Sequence, residues 1–155
     1  MPFLNDSQKA VAGVYQRGIK VSKASTAYVT TVPQTLFTIT GGKVWVNLFM
    51  GTVTTLHASA TQNIKTQTAP TVGTAVALSS DVDTNALEVG GTLFVEGDGS
   101  ATVKANGGVV LAASANGRGF IVSPGTITFT PSATQDGATL WELWYLPIDD
   151  GAAVS

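Results

Sequence analysis

Gln34-Thr35-Leu36-Phe37-Thr38-Ile39-Thr40-Gly41-Gly42-Lys43-Val44-Trp45-Val46-Asn47-Leu48-Phe49-Met50 decides the reading of this chain. Two runs of β-branched and aromatic residues flank a Gly-Gly pair, and glycine tolerates the positive φ that a two-residue turn demands. The spacing predicts a hairpin. The same pattern returns downstream. Asp98-Gly99 lies between Thr92–Glu96 and Ala101–Ala105, Asn106-Gly107 precedes Val109–Ala112, and Asn116-Gly117 precedes Gly119–Val122. Asp136-Gly137 joins the stretch Gly125–Pro131 to Ala138–Leu146. With Ala27–Val32, Thr52–Ser59, Asn63–Gln67 and Thr74–Ser79 added, about ten short strands follow one another at the spacing of an all-β sandwich or barrel. The expected fold is all-β: an antiparallel β-sandwich or barrel, jelly-roll-like, with hairpin-rich topology and an N-terminal arm.

Composition narrows the class. The chain has 155 residues, enough for one domain with a real core and too few for two. Charged residues make up 12%, about half of the ~25% usual in soluble domains, while hydrophobic residues make up 44%. Disorder, a helix bundle and a coiled coil are all disfavoured by that balance and by the 17 glycines. With no cysteine there is no disulfide framework, thiolate metal site or Cys nucleophile. The opening Met1-Pro2-Phe3-Leu4-Asn5-Asp6 lacks the basic and apolar regions of a secretion signal, and no apolar run approaches the ~20 residues of a membrane span. The reading is a soluble, intracellularly made product without a membrane. A net charge of -2 and the lack of a Lys/Arg cluster argue against nucleic acid as a partner.

Residues 1–25 read as an arm, with Ala10, Val11, Val14 and Tyr15 at helical spacing behind an Asp6 or Ser7 cap. Residues 26–155 read as a single antiparallel β-domain. The stretch Ala58 to Thr74 is poor in large side chains and reads as a loop or edge strand, with Pro70 favouring the loop. In the last strand Trp141, Leu143 and Tyr145 share one face, and Leu140, Glu142, Trp144 and Leu146 share the other. Both faces therefore carry large apolar groups. One suits the core and the other suits a loop or a neighbouring subunit.

Catalytic chemistry finds little to work with. His57, the single histidine, alternates with Thr55 and Ser59, and no strained G-x-S-x-G nucleophile turn accompanies it, so it reads as a strand-surface residue. Asp81-Val82-Asp83-Thr84-Asn85 spaces oxygen ligands as a calcium loop does, but the sixth and twelfth positions hold Ala86 and Thr92 where a calcium hand requires Gly and an acid. What remains is an irregular calcium site or an Asx turn. Glu88, Glu96, Asp98 and Glu142 form no recognisable carboxylate pair. Gly97-Asp98-Gly99 and Gly117-Arg118-Gly119 sit between strands, not between a strand and a helix, so neither is a phosphate cradle. No catalytic residue, cofactor or metal is assigned, and the expectation is a protein that is not an enzyme. Trp45, Trp141 and Trp144 leave two uses open: stacking on sugar rings, or burial in the core or an interface.

Leu36–Val46 continuing through Gly51-Thr52-Val53-Thr54-Thr55, together with Gly73–Leu78, Val122–Ile127 and the closing Trp144-Tyr145-Leu146-Pro147-Ile148-Asp149-Asp150-Gly151-Ala152, resembles the small β-rich capsid decoration (cement) proteins of tailed bacteriophages. The resemblance covers roughly residues 30–152 and is one of short phrases. It implies a homo-oligomer, trimer or dimer, made in the host cytoplasm and carried on the outer capsid surface of the virion. There it binds the major capsid protein and bridges neighbouring copies. The candidate contacts are Trp141, Trp144 and Tyr145 for subunit or core burial, and Phe3 to Arg17 of the arm for the capsid. The alternative is a carbohydrate- or receptor-binding module of a phage fibre or tail. Before residue 66 six basic residues face one acid, and after it two face nine, so near-neutrality conceals a segregated charge.

Overall fold

A computed structural model describes residues 18–24, 28, 32–57, 62–99, 103–105, 119–134 and 137–155. They form twelve strands and no helix: β1 (Ile19–Lys23), β2 (Gln34–Thr40), β3 (Val44–Thr55), β4 (Asn63–Pro70), β5 (Val76–Ala77), β6 (Val82–Asp83), β7 (Thr92–Phe94), β8 (Val103–Ala105), β9 (Phe120–Val122), β10 (Gly125–Pro131), β11 (Ala138–Pro147) and β12 (Ala153–Val154). The strands make two six-stranded antiparallel sheets. The first runs β1-β11-β3-β7-β8, with β9 also on β3; the second runs β12-β2-β10-β4-β5, with β6 also on β4. The all-β, antiparallel expectation holds. Of its two forms the sandwich is the one found, since no ladder joins the two sheets into a closed barrel among the described residues.

The turns need correcting one by one. Gly41-Gly42 is not a hairpin: β2 pairs with β10 and β12 in the second sheet, whereas β3 pairs with β11, β7 and β9 in the first. The glycines carry the chain across the sandwich. Gly41 has φ of 74°, and a Cβ there would lie 2.1 Å from the Gly151 carbonyl oxygen, so the close approach needs glycine as much as the bend does. The strands on either side of Asp136-Gly137 likewise belong to different sheets, β10 to the second and β11 to the first. Asp98-Gly99 does lie within a hairpin, where Phe94 pairs with Val103 and Thr92 with Ala105. Asn106-Gly107, Asn116-Gly117 and the strand expected at Val109–Ala112 lie outside the described residues.

Two predicted strands merge. The runs either side of Gly51 form the single 12-residue β3. Gly51 is there because of what crosses it: a Cβ would lie 2.6 Å from Thr139 Cγ2 and 3.0 Å from the Trp141 ring. A β-bulge, between Trp144 and Tyr145 on β11, leaves Asn47 as the extra residue of β3. It shifts the alternation by one, so that Val44 and Val46 before it and Phe49 and Val53 after it all face the core. Trp45, Leu48 and Met50 are left facing out. Asn63–Gln67, expected as a strand inside a stretch otherwise read as loop or edge, belongs to the longer internal strand β4, with β10 along one side and β5 and β6 on the other. Pro70 is its last residue, where a missing N–H costs little. Of the stretch assigned to an arm, Ile19–Lys23 pairs with β11 as an edge strand of the first sheet.

The core lies between the sheets and is tied together by rings. Phe37 meets Phe49 at 5.9 Å between centroids, Phe49 meets Trp141 at 5.4 Å, Trp141 meets Phe129 at 6.0 Å, and Phe129 meets Tyr28 at 5.2 Å. That chain crosses from sheet to sheet at its Phe37–Phe49 and Trp141–Phe129 contacts, and its tilted and edge-on contacts are the favourable geometries for aromatic pairs. The C-terminus is bound in as well: β12 pairs with β2, and Ser155 and Thr38 exchange backbone hydrogen bonds at 2.7 and 3.0 Å.

Candidate functional site

The outward face of the first sheet carries more apolar surface than a solvated sheet face needs. Because β11 alternates, Trp141, Leu143 and Tyr145 are buried while Leu140, Glu142, Trp144 and Leu146 look out. Register then sets their neighbours. Trp144 lies opposite Leu48 on one side and Lys20 on the other, and Leu146 lies opposite Trp45, which in turn lies opposite Ile121 of β9. Trp45 is 42% exposed and Ile121 65% exposed. Ile148, two residues beyond Leu146 on the same strand direction, is also exposed. Leu146, Trp45 and Ile121 thus form one apolar row across three strands.

The row continues around the sheet edge. Ile121 also lines a cleft of about 330 Å³, together with Pro70, Val72, Val76 and Leu78 from the second sheet and its β4–β5 turn. Val72 and Val76 are largely exposed. The cleft wall is aliphatic, softened by the hydroxyls of Thr68, Thr74 and Ser123.

At the other end of the face the apolar surface is closed off by charge. Lys20 Nζ forms an ion pair with Glu142 and sits 5.0 Å from the centre of the Trp144 ring. The ammonium covers one face of the indole by cation–π attraction, and Trp144 is half-buried.

Of the residues singled out in the sequence, Trp141 and Tyr145 are part of the core, at 0% and 4% exposure, and are unavailable to a partner. Trp144 faces outward. Phe3 and Arg17 lie outside the described residues, as does the helical spacing around them. His57 is corrected: strand β3 ends at Thr55, and His57 is 1% exposed, its N–H bonded to the Leu87 carbonyl at 3.1 Å. Burial without a charged partner holds its pKa below the usual histidine value. Its Nε2 lies 3.4 Å from Thr139 Oγ1, which is 2.6 Å from the Tyr28 hydroxyl. Burial pushes the Tyr28 phenol far above its ordinary range.

Asp83 takes the Asx reading, its Oδ1 accepting the Asn85 N–H at 2.9 Å. The turn closes through Leu87 N–H to the Thr84 carbonyl, with Ala86 at φ of 55°. Among the described residues no three His, Cys, Asp or Glu side chains gather as a metal site requires. Glu142 is paired with Lys20 and not with a second carboxylate. Also among the described residues, no helix is long and apolar enough to cross a membrane.

Sequence reading had reached Trp45 but not its setting. The row depends on β9 and β11 flanking β3, a pairing of segments some 75 to 100 positions apart that no local pattern announces. Lys20 on Trp144 was hidden for the same reason. Comparison with protein-family models, with curated proteins and with solved structures gives no match.

Proposed function

We propose that this chain is a structural virion protein: a decoration or cement protein that binds the outside of a tailed-phage head as a homo-oligomer, trimer or dimer, and bridges neighbouring major capsid proteins. The observation that carries this reading is the outward-facing row Leu146–Trp45–Ile121, half-buried at Leu146 and exposed at Trp45 and Ile121, set on a double sheet. Exposed apolar rows of this kind are characteristic of protein contacts, where an aromatic anchor surrounded by aliphatic side chains becomes dry on association. The low charge adds to it, since many copies crowded on one lattice repel each other less when each carries a net charge of -2. The resemblance of its short phrases to those of decoration proteins is the other ground for the reading.

A second reading has one observation in its favour. Trp45 is exposed on a sheet face, as a sugar-stacking ring would be. Its cross-strand neighbours weigh against it: Leu146 and Ile121 offer no hydrogen bonds to sugar hydroxyls, and carbohydrate sites need converging polar groups around the ring. Native mass and cosedimentation with undecorated phage heads separate the two. The cement reading expects a dimer or trimer that pellets with heads. A strict monomer that stays in the supernatant and is retained on a glycan array supports the carbohydrate module instead.

A further inference from the structure

The geometry points to His57 as an internal acid sensor, whose protonation releases Tyr28 from the place where β3, β11 and the 84–87 turn meet. The histidine sits where several parts of the fold converge. Its own N–H is bonded to the Leu87 carbonyl, its ring packs 4.8 Å from the Tyr28 ring, and Gly137, just before β11, lies so close that a Cβ there would be 2.6 Å from the imidazole. Tyr28 is itself wholly buried, held by Phe129 on one side and by Thr139 at its hydroxyl.

Neutral histidine suits this site. One ring nitrogen faces Thr139 Oγ1, and the other, Nδ1, meets no hydrogen-bond partner among the described residues. A bare lone pair at Nδ1 is tolerable; a charged N–H with no acceptor is not. Protonation makes both nitrogens donors. With the lone pair on Nδ1, Nε2–H already donates to Thr139 Oγ1 in the neutral ring, so the added proton goes to Nδ1, where the new N–H is buried without an acceptor among the described residues; it is relieved only when Tyr28, packed on the ring, moves and admits water. Among the described residues, no carboxylate is in contact with the ring. Tyr28 is the titratable group in contact with it, Thr139 and Gly137 are neutral, and Glu88, beside Leu87, is exposed.

The direction follows from linkage. His57 binds a proton less readily folded than unfolded, so its contribution is fully present above about pH 6.5, the free histidine value, and is lost as pH falls below it. In that window the ratio of open to closed protein rises by up to about tenfold per pH unit. The test uses the full chain with 13C-labelled histidine, which gives one ring resonance because there is one histidine. As the pH is lowered from 7.5 to 5, the ring is expected to stay neutral to below pH 6.5. Over the same range the urea midpoint should fall, and amides at Tyr28, His57 and Thr139 should lose protection before the rest of both sheets, after correction for intrinsic exchange. His57→Phe should remove most of the fall; His57→Gln serves if the phenylalanine does not fold. A ring that titrates at 6.5 or above with the fold intact overturns the inference. So does a parallel fall in wild type and variant, or a loss of protection spread evenly over the sheets.

Discussion

Gly41 shows how a single residue fixes the path of the chain. It combines a φ of 74° with a contact that leaves no room for a side chain against Gly151. Gly41→Ala is therefore expected to destabilise by about 1–3 kcal/mol, read as a lowered urea midpoint with unchanged slope. Ala86 is the converse case, an alanine at φ of 55° in an exposed turn. Ala86→Gly should raise stability by up to about 1 kcal/mol in the same titration, because glycine adopts that conformation without strain. In the core, Trp141→Ala removes a ring in contact with both Phe49 and Phe129 and should cost about 3–5 kcal/mol. That Trp141 and Trp144 lie on opposite faces was legible in the sequence, since strict alternation over β11 needs no tertiary knowledge; which of the two faces is the core was not. The placement of His57 was not, because alternation was counted through residues beyond Thr55, where the strand has ended and periodicity no longer assigns a face.

At the level of elements, most strands were legible, but of their pairings only the hairpin at Asp98-Gly99 was. The run Gln34–Thr40 and the run after Lys43 form strands as their β-branched and aromatic content requires. The Gly-Gly between them carries the same conformational signature whether the chain folds back within one sheet or crosses to the other. What separates the two outcomes is burial: Leu36, Phe37 and Ile39 face Val46, Phe49 and Val53 across one core, and a hairpin would have placed them side by side in one sheet. The bulge at Asn47 adds a second local event that alternation alone does not foresee, and it sets which side chains look outward. Edge strand β1 lends itself to a direct check. Its ion pair with Glu142 is partly exposed, with Lys20 at 47%. Lys20→Ala should therefore cost no more than about 1 kcal/mol in the urea midpoint, and salt should weaken the wild type by a similar, small amount. A loss of several kcal/mol would mean that β1 depends on Lys20 for its place in the sheet.

For the whole molecule, the charge segregation along the sequence is partly undone by folding. Lys20, from the basic part, pairs with Glu142 from the acidic part, and the Lys43 N–H donates to Asp149 Oδ2 at 2.8 Å. The two parts are interleaved across both sheets, so the described residues offer no basic pole to meet an acidic surface. The proposed association draws on apolar area instead, and the row Leu146–Trp45–Ile121 is where the first sheet presents it. Trp45 side-chain truncation should leave the fold intact, since the ring is 42% exposed and its strand is held on both sides. The most direct measurement is cosedimentation of the protein with undecorated phage heads, wild type beside Trp45→Asp. The account predicts saturable pelleting of the wild type and binding weakened at least about thirtyfold in the variant, the ~2 kcal/mol of an aromatic anchor, with unchanged circular dichroism. Wild-type protein that stays in the supernatant, or a variant that pellets equally well, would contradict it.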